Sequence, residues 1–194
     1  METSGNILLC GVGGQGILLA SELIAFALLA SGMDAKKSEV HGMAQRGGSV
    51  EAHLRYGKKV YSPLIEPGTA DVLIALETME AMRYLPYLNK NSTVIINTQK
   101  IMPPAVATGK TEYPDNIISE LKSRGLKVIP IDGFEIARKA GNVKAANVSL
   151  VGALSSIMPI PKETFIEVIK EKVPARFLDV NLEVFQEGRK AAQA

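Results

Sequence analysis

Short apolar runs alternate with helical patterns along the first two thirds of the chain. The runs have the continuous hydrophobicity of strands buried on both faces of a sheet, and they cover residues 6–10, 70–76, 92–97 and 126–131. The helical patterns between them cover residues 17–30, 77–88 and 115–124. This alternation predicts an α/β fold with a Rossmann-like, mostly parallel sheet and flanking helices.

A different pattern lies between the first and second apolar runs. Apolar and polar residues alternate from Val50 to Tyr56, and a Gly-Lys-Lys turn then leads into a short apolar stretch at residues 60–62. This predicts an inserted antiparallel β-hairpin over about residues 48–62 with one wet face. His53 would lie on that face, in solvent or facing a partner, rather than act as a metal ligand. Residues 34–40 contain no apolar run and are a poor candidate for a strand.

The C-terminal part of the chain, from about residue 132 to residue 194, is predicted to be helical. Its helical patterns cover residues 145–158, 162–173 and 181–192. Asn147 and Gly152 are unusual inside a helix, because both weaken it locally, and such residues often permit close packing or a buried hydrogen bond. No repeat and no long Pro/Gly/Ser linker divides the sequence, so residues 1–194 are predicted to form a single domain.

Charge and hydropathy exclude two classes of partner. The 194 residues include 22 Lys+Arg and 20 Asp+Glu, a near balance that argues against a nucleic-acid binder or a polybasic membrane anchor. The apolar run at residues 17–30 is short for a bilayer span, and no cationic residue of a signal peptide precedes Lys36. We therefore expect a cytoplasmic protein with neither a nucleic-acid nor a membrane partner.

Cysteine and histidine are scarce. The chain has one cysteine, Cys10, and two histidines, so it cannot build a disulfide framework, a structural zinc site or an iron–sulfur cluster by itself. Cys10 ends an apolar run, and we expect a small buried core residue there rather than a reactive thiol. The sequence predicts no metal site.

Residues 11–16, Gly-Val-Gly-Gly-Gln-Gly, form a glycine loop between a predicted strand and a predicted helix. Such a loop offers backbone N–H groups and a helix N-terminus to an anion. A dinucleotide site also requires an acidic residue about 20 positions further on, and only Glu39 qualifies, late and near two lysines. The alternative is that the glycines only allow close packing of helix and strand, although packing alone does not require the amide of Gln15.

Residues 41–49, His-Gly-Met-Ala-Gln-Arg-Gly-Gly-Ser, form a second unusual stretch, called here the polar segment. It concentrates an imidazole, an amide, a guanidinium, a hydroxyl group and three glycines. Arg46 followed by two glycines can present a planar fork beside exposed backbone N–H groups, which suits a carboxylate or a phosphate. The alternative is a flexible loop with a solvated arginine.

Three stretches together carry a resemblance to a known family. The glycine loop, the polar segment and the helical stretch at residues 147–152 resemble the gamma-type domain of the 2-oxoacid:ferredoxin oxidoreductases. Within that family, the polar segment is most similar to the small beta subunit of the indolepyruvate ferredoxin oxidoreductases. The resemblance covers essentially the whole chain, and the polar segment is much more specific than the glycine loop.

The resemblance implies a subunit of an enzyme that decarboxylates an aryl pyruvate, passes two electrons through iron–sulfur clusters to ferredoxin and transfers the acyl group to coenzyme A. Thiamine diphosphate, Mg²⁺ and the [4Fe–4S] clusters would lie in a large alpha subunit, and this chain would bind none of them and would be inactive alone. Because the cofactor supplies the carbanion chemistry, this chain would contribute enclosure, positioning and subunit contacts. No residue is implied to be the catalytic base.

Residues of both loops are therefore candidates for closing the active site or for holding the anionic part of coenzyme A. The candidates are Gly11, Gly13, Gly14, Gln15, Gly16, Glu39, His41, Gln45, Arg46, Gly47, Gly48, Ser49 and Asn147. Two other hypotheses stay open. One is a free-standing Rossmann-type dehydrogenase or reductase that binds a nucleotide, and the other is a purely structural accessory chain.

Overall fold

The computed structural model describes residues 4–41 and 48–194. The strands are β1 (Gly5–Val12), β2 (Asp34–His41), β3 (Ser49–Gly57), β4 (Ala70–Ala75), β5 (Leu88–Asn97) and β6 (Lys127–Ile131). The helices are α1 (Ile17–Ala30), α2 (Thr78–Arg83), α3 (Pro104–Ala107), α4 (Ile117–Ser123), α5 (Gly133–Lys139), α6 (Ala146–Ser155), α7 (Lys162–Lys172) and α8 (Leu178–Ala191). Short 3₁₀ turns lie at Leu85–Tyr87, Val143–Ala145 and Ala175–Phe177.

The strands form one sheet in the order β2-β3-β1-β4-β5-β6. The pairs β1–β4, β4–β5 and β5–β6 are parallel, whereas β3 is antiparallel to both of its neighbours. All described strands except β3 therefore run in one direction, which confirms the predicted mostly parallel sheet. We call the edge at which β1, β2, β4, β5 and β6 end the carboxyl edge, and the opposite edge the amino edge.

The antiparallel hairpin lies elsewhere than predicted. It is formed by β2 and β3, paired from Asp34 opposite Gly57 to His41 opposite Val50, and residues 60–62 form no strand. The prediction of a hairpin over about residues 48–62 is therefore wrong. Residues 34–41 form the outermost strand of the described sheet, and charged side chains are common in outermost strands. Pairing with β3, and not a hydrophobic pattern of its own, makes this segment a strand.

The polar face of β3 is covered, so the prediction of a face in solvent is wrong as well. The side chain of His53 is only 3% exposed. Its Nδ1 accepts a hydrogen bond of 3.1 Å from the backbone N–H of Ile65, and its ring meets the ring of Tyr87 edge-on. The chain between β3 and β4 therefore closes over this face.

Apolar residues fill both faces of the sheet. Ile7 and Leu9 of β1 face a core that includes residues of α1, α6, α7 and α8, whereas Leu8 and Cys10 face a core that includes residues of α2 and α4. Successive side chains of a strand point to opposite faces, so a strand covered on both sides must be apolar throughout. This explains the continuous apolar runs in the sequence.

Helices α6 and α8 approach each other closely. A Cβ atom at Gly152 of α6 would overlap the carbonyl oxygen of Phe185, and a Cβ atom at Gly188 of α8 would overlap that of Ser149. The expectation that Gly152 permits close packing is confirmed.

Across residues 4–41 and 48–194, no helix combines the length and the hydrophobicity that a membrane span requires.

Replacing Gly152 with alanine should therefore reduce the free energy of unfolding by roughly 3 kcal/mol or more, because the new methyl group forces two helix backbones apart. The control is Gly32→Ala, where φ is +81° but no atom lies within 4 Å of the added carbon. There we expect only the cost of the left-handed backbone, about 1 kcal/mol. Equal losses for the two variants in urea unfolding would contradict the close approach of α6 and α8.

Candidate functional site at the carboxyl edge

The glycine loop connects the end of β1 to the start of α1 at the carboxyl edge. Gly14 and Gly16 have φ angles of +102° and +79°, a left-handed backbone that glycine adopts readily and other residues rarely do. Gly16 is the N-cap of α1, and no side chain of residues 4–41 and 48–194 caps this helix. The loop therefore presents backbone N–H groups of a 14-residue helix that no described side chain caps, as an anion site requires.

Gln15 closes the loop from within. Its Oε1 accepts a 2.8 Å hydrogen bond from the N–H of Val12, and its Nε2 donates a 2.8 Å hydrogen bond to the carbonyl oxygen of Leu76. The same Nε2 lies 3.3 Å from Oε1 of Gln99. The amide thus ties the end of β1 to the residue that follows β4. Gln15 shapes the loop and does not extend a free amide from it.

Asn147, in the first turn of α6, holds the other end of the loop. Its Nδ2 donates a 2.9 Å hydrogen bond to the carbonyl oxygen of Gly16, and its side chain is buried. A Cβ atom at Gly16 would lie 2.6 Å from that nitrogen, so this position requires glycine for space as well as for backbone conformation. The expected buried hydrogen bond of Asn147 is confirmed. Its Oδ1 is buried without a hydrogen-bond partner among the described residues.

A cleft of about 190 Å³ opens between the glycine loop and the starts of α5 and α6. Its lining combines amides with one cation and several apolar groups: Gly14, Gln15, Leu76, Asn97, Gln99, Phe134, Val143, Lys144, Ala146, Asn147 and Leu150. The cleft is smaller than the roughly 300–1,000 Å³ of a typical small-molecule pocket. It can receive a small polar group, and it is too small to enclose a whole dinucleotide.

The structure brings the glycine loop together with the end of the polar segment. The N–H of Gly13 donates a 2.8 Å hydrogen bond to the carbonyl oxygen of Gly48, and Val12 pairs with Ser49 between β1 and β3. His41 ends β2 at the same edge. The predicted site residues Gln45, Arg46 and Gly47 lie outside the described residues.

A buried cluster that the sequence did not indicate lies under Ser49. The hydroxyl of Ser49 donates a 2.5 Å hydrogen bond to Glu80 Oε2 of α2, and the hydroxyl of Tyr84 lies 3.2 Å from the same serine oxygen. The other oxygen of Glu80 accepts a 3.3 Å hydrogen bond from Arg83 Nε. Glu80 is 31 positions away from Ser49, so no local sequence spacing relates the two residues. The feature of the sequence that could have indicated a buried carboxylate is an acidic residue between two apolar residues.

The environment raises the pKa values of Tyr84 and Cys10, so both groups keep their protons. Burial, with a contribution from Glu51, raises the pKa of Tyr84 well above its ordinary value. Burial is also the largest cause that raises the pKa of the Cys10 thiol, and the carboxylates of Glu80, Glu77 and Glu51 raise it further. Cys10 is therefore a protonated thiol in the core, which confirms its predicted role.

Glu39 does not lie where a ribose ligand is needed. Its Oε1 accepts hydrogen bonds from Ser21 Oγ at 3.1 Å and from Lys37 Nζ at 2.7 Å. Strand β3 separates β2 from β1, so Glu39 stands two strands, about 10 Å, away from the strand that leads into the glycine loop. This placement does not favour the dinucleotide hypothesis.

The residues that the structure describes do not fit a metal centre. Among residues 4–41 and 48–194, no group of three His, Cys, Asp or Glu side chains converges as metal ligands would. The single cysteine of the sequence cannot supply the thiolates of a [4Fe–4S] cluster.

Replacing Gln15 with alanine should reduce the free energy of unfolding by about 1–3 kcal/mol, because the N–H of Val12 loses its acceptor. The carbonyl of Leu76 keeps a 3.1 Å hydrogen bond from Asn97, so the expected cost comes from one group. Gln186→Ala on the exposed face of α8 is the control, with a change below about 0.5 kcal/mol. If urea unfolding gives the same midpoint for both variants, Gln15 does not hold the loop.

Comparison with known proteins agrees with this architecture. The family model described as pyruvate ferredoxin/flavodoxin oxidoreductase matches residues 6–191. The protein named indolepyruvate oxidoreductase subunit IorB from Archaeoglobus fulgidus is 49% identical over 187 residues, which cover 94% of this chain and 92% of that protein. The IorB subunit from Thermococcus kodakarensis is 42% identical, over 97% of this chain and 96% of its own length.

Solved structures show the same fold at lower identity. The gamma subunit of a keto/oxoacid ferredoxin oxidoreductase from Geobacter sulfurreducens superposes with a TM-score of 0.73 at 21% identity, covering 97% of this chain and 98% of that chain. A 2-oxoglutarate:ferredoxin oxidoreductase from Magnetococcus marinus, solved with 2-oxoglutarate, coenzyme A and succinyl-CoA, has a TM-score of 0.78 at 22% identity; the match covers 100% of this chain and 32% of that one. With the family match over residues 6–191, the conclusion is that this chain belongs to the pyruvate ferredoxin/flavodoxin oxidoreductase family.

Proposed function

We propose that this chain is the small subunit of a cytoplasmic, thiamine-diphosphate-dependent indolepyruvate:ferredoxin oxidoreductase. The reaction consumes an aryl pyruvate and coenzyme A and yields an acyl-CoA, CO₂ and reduced ferredoxin. The observation that carries the proposal is the 49% identity to the Archaeoglobus fulgidus indolepyruvate oxidoreductase subunit over 92% of its length. A match that spans both chains supports an equivalent subunit and not a shared module.

The complex divides its chemistry between two chains. Thiamine diphosphate supplies the carbanion chemistry, and it lies with Mg²⁺ and the [4Fe–4S] clusters in the large partner subunit. One cysteine and two histidines in this chain support that division, since a [4Fe–4S] cluster needs four thiolates. The residues of this chain then serve to bind, to orient and to exclude water.

The carboxyl edge is the face that docks on the large subunit. Several exposed apolar side chains belong to segments near this edge, and two of them, Phe134 and Val143, line the cleft beside the glycine loop; the set is Leu18, Val40, Met102, Phe134 and Val143. Apolar groups gathered around a polar site are typical of a surface that a partner covers. Docking here would enclose the glycine loop and the polar segment between the two subunits.

Within that interface, this chain holds the anionic part of coenzyme A or closes the active site over it. The N-terminus of α1, which no side chain of the described residues caps, offers N–H groups and a partial positive charge. Arg46 adds a guanidinium whose fork matches a phosphate. The end of the polar segment lies beside the glycine loop, because the N–H of Gly13 donates a hydrogen bond to the carbonyl oxygen of Gly48.

The dehydrogenase hypothesis has less support. Its acidic ribose ligand would be Glu39, which is paired with Ser21 and Lys37 on the outermost strand of the described sheet. A structural accessory chain would not need the uncapped helix start or the amides that shape the glycine loop.

The test is reconstitution of the chain with the large thiamine- and cluster-binding subunit. We expect the complex to reduce ferredoxin only with both indolepyruvate and coenzyme A present, and each chain alone to be inactive. In that complex, Arg46→Ala should raise the KM for coenzyme A roughly tenfold, because it removes a charged hydrogen bond to the bound ligand, while assembly in size-exclusion chromatography is unchanged.

The matched control is Arg124→Ala. Arg124 is paired with Glu120 on α4 and precedes β6, so it lies near the amino edge, away from the proposed site. Coenzyme A kinetics that are the same in both arginine variants would contradict the role of Arg46. Reduction of NAD(P) by the chain alone would contradict the proposed function itself and would favour the dehydrogenase.

A further inference from the structure

Glu80 is a buried carboxylate whose position the stability of its helix does not explain. The residue is 4% exposed. Three residues earlier, Glu77 already caps α2 by accepting a hydrogen bond of 2.9 Å from the N–H of Glu80. Glu77 also accepts hydrogen bonds from the N–H of Ile101 and the hydroxyl of Tyr113. Glu77, and not Glu80, therefore caps α2 and connects its start to Ile101 and Tyr113.

A carboxylate in such a place is costly unless it is paired. Glu80 has two hydrogen-bond partners among the described residues: the hydroxyl of Ser49 at 2.5 Å and the guanidinium of Arg83 at 3.3 Å. The Arg83 side chain is largely exposed, and exposed charge pairs contribute little. The strong partner is therefore Ser49, which belongs to another element of the fold.

Ser49 connects Glu80 to the glycine loop and to the end of the polar segment. It is the last residue of the polar segment and the first residue of β3, and it pairs with Val12 at the end of β1. The residue before it, Gly48, accepts the hydrogen bond of the Gly13 N–H at 2.8 Å. A shift of Ser49 must therefore move the end of the polar segment and the glycine loop together.

We propose that Glu80 is a positioning residue for coenzyme A binding, which acts by fixing Ser49 and, through Gly48, the glycine loop. This proposal rests on the proposed function, because it takes coenzyme A as the ligand of that loop. Tyr84 supports the same contact, since its hydroxyl lies 3.2 Å from Ser49 Oγ.

The kinetic test uses the reconstituted complex with Glu80→Ala, Glu80→Gln, Ser49→Ala and the double alanine variant. Glu80→Ala and Ser49→Ala should each raise the KM for coenzyme A roughly tenfold with kcat within about twofold, because each removes the same charged hydrogen bond. The double variant should be no worse than either single one, since the two residues act as a pair. Glu80→Gln keeps an acceptor for Ser49 and should stay within about threefold of wild type.

The matched control is Tyr113→Phe, which removes a hydrogen bond to the neighbouring buried carboxylate Glu77 without touching Ser49. A loss of stability in α2 alone would affect this variant as much as Glu80→Ala. An increase in KM confined to the Glu80 and Ser49 variants supports the proposal. Equal KM values in Glu80→Ala and Tyr113→Phe, or additive effects of Glu80→Ala and Ser49→Ala, would overturn it.

A second readout does not depend on the reaction. Exchange of the Gly13 amide, followed by NMR on the full chain, reports its hydrogen bond to Gly48. We expect faster exchange in Glu80→Ala and Ser49→Ala and wild-type exchange in Tyr113→Phe. Ser49→Ala keeps this test valid if Glu80→Ala does not fold, and unchanged Gly13 exchange in Ser49→Ala would refute the positioning role. If the complex shows no dependence on coenzyme A, the proposed function fails, and the exchange rates still decide whether Glu80 positions the loops.

Discussion

The reversed direction of β3 determines what the carboxyl edge of the sheet contains. Because β3 is antiparallel to β1, its first residue, Ser49, and not its last, lies beside the end of β1. The polar segment therefore ends next to the glycine loop, and one backbone hydrogen bond, from Gly13 to Gly48, joins them. If β3 were parallel to β1, its first residue would lie at the amino edge, about 25 Å away for a strand of this length.

The same reversal separates this fold from a dinucleotide-binding one. In the dinucleotide-binding arrangement, the second strand lies beside the first, so its acidic end reaches the ribose. Here β3 occupies that place, and β2 with Glu39 is displaced to the outermost position of the described sheet. The glycine loop keeps the features that attract an anion, but its neighbour in the sheet is the start of β3, with Ser49 beside Val12, in place of a carboxylate.

The sequence predicted the parts of the fold that follow from hydrophobic pattern. Strands β1, β4 and β5 contain apolar runs because residues on both of their faces are buried, and Gly152 and Asn147 stood out because each is costly in a helix unless packing or hydrogen bonding compensates. Strand β2 was a poor candidate in the sequence because pairing with β3, and not a hydrophobic pattern, defines it. The buried states of His53 and Glu80 were missed because their partners, Ile65 and Ser49, come from other elements of the chain.

The proposed docking of the large subunit on the carboxyl edge would cover the glycine loop and the exposed apolar side chains Phe134 and Val143 beside the cleft. Hydrogen–deuterium exchange of this chain, alone and in the complex, tests this docking most directly. We expect slower exchange on assembly at residues 11–20 and at residues 133–147, which carry the glycine loop and the two apolar side chains beside the cleft. Protection confined to residues 58–69 at the amino edge, where Tyr61 is 88% exposed, with no change at the carboxyl edge, would contradict the account.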